Sequence, residues 1–214
     1  MLLHRAQRAC EDSSRGAREL ALQFDISMST QRDIIYKIRD QIIEKGTAIP
    51  SDKITLIANA VFDELLQKKS GNLHDHLVRF IFDNLDYRLP DGFEQLNLAD
   101  ARACKQFLMK TFQDKLQTKQ TRLADDKVYT KFQNLVFLKA VDEAWIEQVD
   151  FLEQLKTVVL DRHVAQHKIE FEYRREAYYA YEQMKKSMYL EFIRLLCLSE
   201  IITKDDGAMA VHFA

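Results

Sequence analysis

From Phe93 to Asp206 the chain contains neither glycine nor proline, so nothing in that stretch forces the backbone out of a helix. Two long apolar stripes run through it. The first is Leu138, Val141, Trp145, Val149, Leu152, Leu155 and Val159; the second is Ala177, Tyr181, Met184, Met188, Phe192, Leu195 and Leu198. Spacings of three and four put each set on one face of a 3.6-residue helix. Charges such as Glu182, Lys185, Lys186 and Glu191 fill the positions between. Two such stripes can bury each other. The polar stretch from Asp161 to Arg174 joins them, which predicts a helical hairpin with an exposed tip. An arm of about 28 residues reaches roughly 40 Å at ~1.5 Å rise per residue. A rod of that length projects something, and the tip is where function is expected.

The remaining punctuation is sparse: five glycines and two prolines in 214 residues. Together with an apolar fraction of 47%, this predicts an all-α protein with a real core rather than a disordered tail. A net charge of -2 provides no bulk attraction to nucleic acid or to an anionic membrane. Cys10, Cys104 and Cys197 are far apart and form no C-x-x-C pair, the usage of reduced thiols in a cytosolic protein. The first residues lack the apolar core of a signal peptide, and no stretch approaches the ~20 apolar residues of a membrane span. A soluble, cytoplasmic chain is the expectation. Helix-like sequence is already under way within the first ten residues, which suggests a piece of something larger.

Residues 5–45 carry one helical stripe of Leu20, Phe24, Met28, Gln31, Ile35, Ile38 and Ile42, with Gly46 placed as its C-terminal cap and Pro50 forbidding continuation. A second helix is expected over 51–69, opened by Ser51, and a third from Asn72 to about Asp86. Leu89-Pro90-Asp91-Gly92 reads as a turn. Asn97-Leu98-Ala99-Asp100 resembles a capping box starting a fourth helix to about Thr121, and Leu123 to Asp126 marks a break before the hairpin. The helices between Gly46 and Asp126 thus look like an insertion between one long helix and a later hairpin, the long elements packing as a three-helix scaffold.

The hairpin is specific enough to resemble a family. Leu138-Lys139-Ala140-Val141-Asp142-Glu143-Ala144-Trp145-Ile146-Glu147-Gln148-Val149-Asp150-Phe151-Leu152 resembles the start of the two-helix finger of SecA, the motor of bacterial protein export, with its Asp-x-x-Trp pair. Ala165-Gln166 and Glu172-Tyr173-Arg174-Arg175-Glu176 resemble the finger's tip and the opening of its second helix. Upstream, Phe24-Asp25, Gln31-Arg32, Ile35-Tyr36 and Arg39 resemble the long helix of the family's helical scaffold. The departures are Ile26 for a second acid, Val164 at the tip tyrosine position, Ile169 at the tip proline position, and no cysteine-rich zinc tail after the finger. That combination is most similar to the accessory SecA of Gram-positive bacteria.

The resemblance implies a domain plan: 1–45 as the long scaffold helix, 46–126 as the helical wing, 127–205 as the finger and 206–214 as a short tail. It implies that Arg162, His163, Val164, Ala165, Gln166, His167 and Lys168 contact exported polypeptide and the membrane channel. It also implies that Trp145, with Phe24 and Ile35, packs the finger on the scaffold helix. The nucleotide-binding motor domains, with their ATP and magnesium, would lie outside this chain, whose place would be cytoplasmic and peripheral at the inner face of the cell membrane.

The residues themselves carry no catalytic set. There is no G-x-x-x-x-G-K-[ST] loop to cradle phosphates, so this chain alone is not expected to hydrolyse ATP, and no cofactor is expected in it. His163 and His167 have i,i+4 spacing, but Val164 stands where a metalloprotease glutamate would be and a third donor is missing. His74 and His76 lie on different sides of a helix. Asp142, Glu143, Glu147 and Asp150 lack the Glu-x-x-His partners of a di-iron bundle and read as a solvated face. Tyr173, Tyr178, Tyr179, Tyr181 and Tyr189 are more rings than a core needs, so some are expected to face outward. A free-standing helical adaptor would explain the periodicity but not the ordered anchors, and its strict heptads are absent. A nucleic-acid binder lacks a basic stripe, because Lys and Arg alternate with acids.

Overall fold

Helix starts and stops follow local chemistry. In the computed structural model, which describes all residues except 1, 47, 68–71, 124, 162–165 and 204–208, α1 spans Leu2–Lys45. Side chains at 2–3, 5–6, 8–10, 12–13, 45, 161, 166–168, 203 and 209 also lie outside the description. Gly46 follows α1 with φ 55, the left-handed conformation that ends a helix without a Cβ penalty. The Pro50 carbonyl then accepts from Lys53 N (2.9 Å) and Ile54 N (3.2 Å), opening α2 (Ser51–Gln67).

Asn72 caps α3 (Leu73–Asn84), its side chain accepting from His74 N at 3.1 Å. The expected turn at Leu89–Gly92 runs into a short 3-10 turn, Phe93–Gln95, entered through Gly92 at φ 87. Asp100, rather than Asn97, caps α4 (Ala101–Leu123): its Oδ1 accepts from Arg102 N (2.9 Å) and Ala103 N (3.2 Å). Asn97 instead closes a local turn on Ala99 N, so the two polar residues divide what the sequence presents as one box. Asp125 receives Lys127 N at 2.8 Å and starts α5 (Asp126–Asp161). After α6 (Gln166–Leu198) comes a feature absent from the sequence reading: β1 (Glu200–Thr203) pairs antiparallel with β2 (Met209–His212), Ile201 opposite Val211 and Ile202 opposite Ala210. The fold is all-α with this one hairpin.

The chain divides into two compact units, 1–39 with 143–185 and 40–142 with 186–214. The first contains three helical segments, from α1, α5 and α6. Its core joins Leu20 and Phe24 of α1, Leu152, Leu155 and Val159 of α5, and Ile169, Tyr173 and Ala177 of α6, with Met28 packed against it. Within this unit the three helical segments share one core, with the Phe24 and Tyr173 rings 4.3 Å apart.

The second unit centres on aromatic side chains. Phe62 of α2 meets Phe80 of α3 (5.9 Å) and Phe112 of α4 (6.3 Å) edge to face, and Phe137 of α5 meets Phe192 of α6 at 5.0 Å. Such pairs add about 0.5–1.5 kcal/mol each beyond area burial. Lys105–Asp63 and Lys115–Asp86 ion pairs, both 2.7 Å, flank α4.

Candidate functional site

The hairpin tip is much shorter than the sequence suggests. The sequence places the connection over 161–174, yet α5 runs to Asp161 and α6 already begins at Gln166. Polarity misled here because the stretch is amphipathic: Ile169 and Tyr173, four apart, turn one face of α6 into the core. Ile169, the departure at the tip proline position, is thus a core residue. Of the predicted contact residues, Arg162, His163, Val164 and Ala165 lie outside the described residues, and Gln166, His167 and Lys168 form the first turn of α6 with side chains outside the description. Trp145, Phe24 and Ile35 are all buried.

Polar contacts tie the hairpin to α1. Lys156 of α5 sits 2.8 Å from Glu153 and 3.8 Å from Asp25 of α1. Arg174 of α6 pairs with Glu170 at 3.0 Å and donates to the Gln23 side chain. Deeper, the one polar member of the α1 stripe bridges all three helices. Gln31 donates its Nε2 to the Ala177 carbonyl of α6 (3.1 Å), while its Oε1 accepts from Gln148 Nε2 of α5 (2.9 Å). Both glutamines are buried, and a buried amide left without such partners would cost about 1–3 kcal/mol.

The tyrosines sort by helical angle. Tyr173 is fully buried, whereas Tyr178 and Tyr179 are exposed at 59% and 61%, their rings 6.1 Å apart. Phe171, which the sequence reading passed over, is exposed at 67%. Its i,i+7 spacing to Tyr178 is the signal that would have found it, since the two share the face opposite Tyr173 and Ala177. The Tyr173 hydroxyl has no hydrogen-bond partner. Burial first, then the charges of Glu153 and Asp25, push its pKa up to about 12.

A second place escaped the sequence entirely. In the second unit a cleft of about 610 Å³ is lined by residues including Tyr87, Lys119, Arg122, Cys197, Glu200 and Ile202. The Lys119 ammonium lies in it, and burial pushes its pKa down to about 8; the neighbouring Cys197 and Glu200 act upward, Lys115 and Arg122 downward. Burial raises the Cys197 thiol to about 12, leaving it protonated and unreactive at neutral pH. The residues that meet here come from the segment after α3, from α4, and from the end of α6 and β1, far apart in sequence and without a shared motif.

Among the described residues no group of three His, Cys, Asp or Glu side chains is placed to hold a metal ion. None of the described helices is long and apolar enough to cross a membrane.

Comparison with known proteins brings these observations together. The family model described as SecA Wing and Scaffold domain matches residues 1–200. The chain is 32% identical over 209 residues to "Protein translocase subunit SecA 2" of Staphylococcus aureus strains Newman, NCTC 8325 and N315. The match covers 98% of this chain but 26% of each relative, so the chain spans about a quarter of the length of the curated relatives it matches.

Proposed function

The chain belongs to the SecA family, as a wing and scaffold domain of a protein translocase, and from that premise we propose that it transmits nucleotide-driven movement to a finger that touches exported polypeptide. In the whole protein, motor domains outside this chain bind ATP and magnesium, and α1 receives their motion. The α5–α6 hairpin carries that motion to residues 162–168, which meet the moving polypeptide and the membrane channel. The work is done on the cytoplasmic side, peripheral to the membrane, and the likeness to SecA 2 favours the accessory export system.

The observation that carries this reading is the hairpin itself. Two helices of 36 and 33 residues follow one another, and their turns around Leu155, Val159 and Ile169 share a core with α1. Displacement of α1 therefore has a packed route to the tip, because close-packed interiors deform little. Exposed Leu22, Ile26 and Tyr36 on α1 offer apolar surface to the motor domains. Exposed Phe171, Tyr178 and Tyr179 extend the polypeptide contact along α6 with rings that accept many sequences.

The test is made in the full-length translocase. Replacing residues 162–166 with a Gly-Ser linker should leave the melting of the isolated chain within about 0.5 kcal/mol of the parent, as for surface positions, while impairing export. A photo-crosslinker at Val164 should capture a stalled substrate. Normal export with the replaced tip, and crosslinks only from distant scaffold positions, would remove the tip from the mechanism.

A further inference from the structure

Helix α6 ends without the residues that usually end a helix. Its last residue is Leu198, and β1 starts at Glu200, so Ser199 alone separates a helix from a strand and no glycine follows. The last carbonyls of any helix lack intrahelical donors. Here the Ser199 hydroxyl does not help, since its buried Oγ has no partner. The donor comes from another element: Lys119 Nζ of α4 donates to the Leu196 carbonyl (2.7 Å) and the Ser199 carbonyl (2.6 Å). The same ammonium stands 5.2 Å from the centre of the Phe132 ring of α5. A cation at the negative end of a helix dipole is favourable, and charge-assisted bonds are about twice as strong as neutral ones.

The surrounding charges leave this role to Lys119. Lys115, one turn earlier on α4, is engaged by Asp86 at 2.7 Å. Beside the junction stands the cleft, lined by Tyr87, Arg122, Glu200 and Ile202, into which the strand has room to move. The far end of the β-hairpin is held separately: Arg194 donates to the Ala214 carbonyl at 3.0 Å, and Lys139 lies 4.9 Å from the centre of the Phe213 ring.

We propose that Lys119 is a latch: its ammonium fixes the α6–β1 junction against α4, and removing that charge frees the junction to move into the cleft while the helical core stays folded. The latch does not depend on what the tip contacts, so it stands or falls apart from the translocation reading.

Backbone hydrogen exchange on the whole 214-residue chain tests it, because local opening shows as fast exchange confined to one segment. Lys119→Met keeps the length and loses the charge and donors. It should accelerate exchange over residues 199–203 at least tenfold and leave the α2 and α4 core segments at the parent rate. Lys119→Arg should restore slow exchange at the junction. Parent-like exchange at 199–203 in Lys119→Met would overturn the proposal. So would uniform acceleration across the second unit, which would make Lys119 a general stabiliser. If Lys119→Met does not fold, Lys119→Gln, which keeps donors without charge, is judged by the same pattern.

Discussion

Two buried aromatic residues of the hairpin helices make opposite demands on their surroundings. Trp145 is the chain's only tryptophan and is 9% exposed, so Trp145→Ala should cost about 3–5 kcal/mol, read as a lower denaturant midpoint. Superimposable melts would show that Trp145 contributes no packing. Tyr173 is buried more completely but carries a hydroxyl with no partner among the described residues. Tyr173→Phe should therefore match the parent at pH 7 or exceed it by about 1 kcal/mol. The two should then diverge in alkali. A phenol raised from its usual 10 to about 12 by burial contributes stability that is complete below pH 10 and is lost as pH rises through about 12. The parent should lose ground to Tyr173→Phe across that interval, and parallel melts from pH 9 to 12 would refute the assignment.

At the scale of elements, the sequence was most legible where period and punctuation agree. The α1 stripe from Leu20 to Ile42 was readable because a 3.6-residue repeat needs only apolar spacing, and Gly46 and Pro50 fix its end. The hairpin arms were readable for the same reason. The start of α6 was not: Gln166 to Arg174 is dominated by polar side chains, and only the pair Ile169 and Tyr173 reveals which face is buried. Helix α4 was placed within a few residues, but choosing Asp100 over Asn97 as its cap requires knowing which amides point at which carboxylate. The β-hairpin at 200–212 was hidden because strands of four residues have too little length to show a period of two. The Lys119 cleft had no local signal at all, since its members come from residues 86–123 and 197–202 and combine types that are individually commonplace. The exposed Phe171 is legible in principle once the polar stretch is recognised as amphipathic helix.

At the scale of the whole molecule, the described residues form helices α1 to α6, while the sequence contains no phosphate-binding loop. The isolated 214-residue chain should therefore fold, show a strongly helical circular dichroism spectrum and give no heat of ATP binding by calorimetry. A measurable nucleotide affinity would mean that a site exists without the familiar loop. If the chain transmits movement as proposed, the contact between Gln31, Gln148 and the Ala177 carbonyl has a mechanical meaning. Apolar ridges slide over one another with a gradual change in energy, but the two buried hydrogen bonds of Gln31 break together. Axial creep of α1 past α5 and α6 is thus resisted by a detent, and a shift that does succeed must travel far enough for the amide to find another carbonyl, about one helical turn of ~5.4 Å. A bundle built this way behaves like a ratchet with a defined click rather than a lubricated bearing.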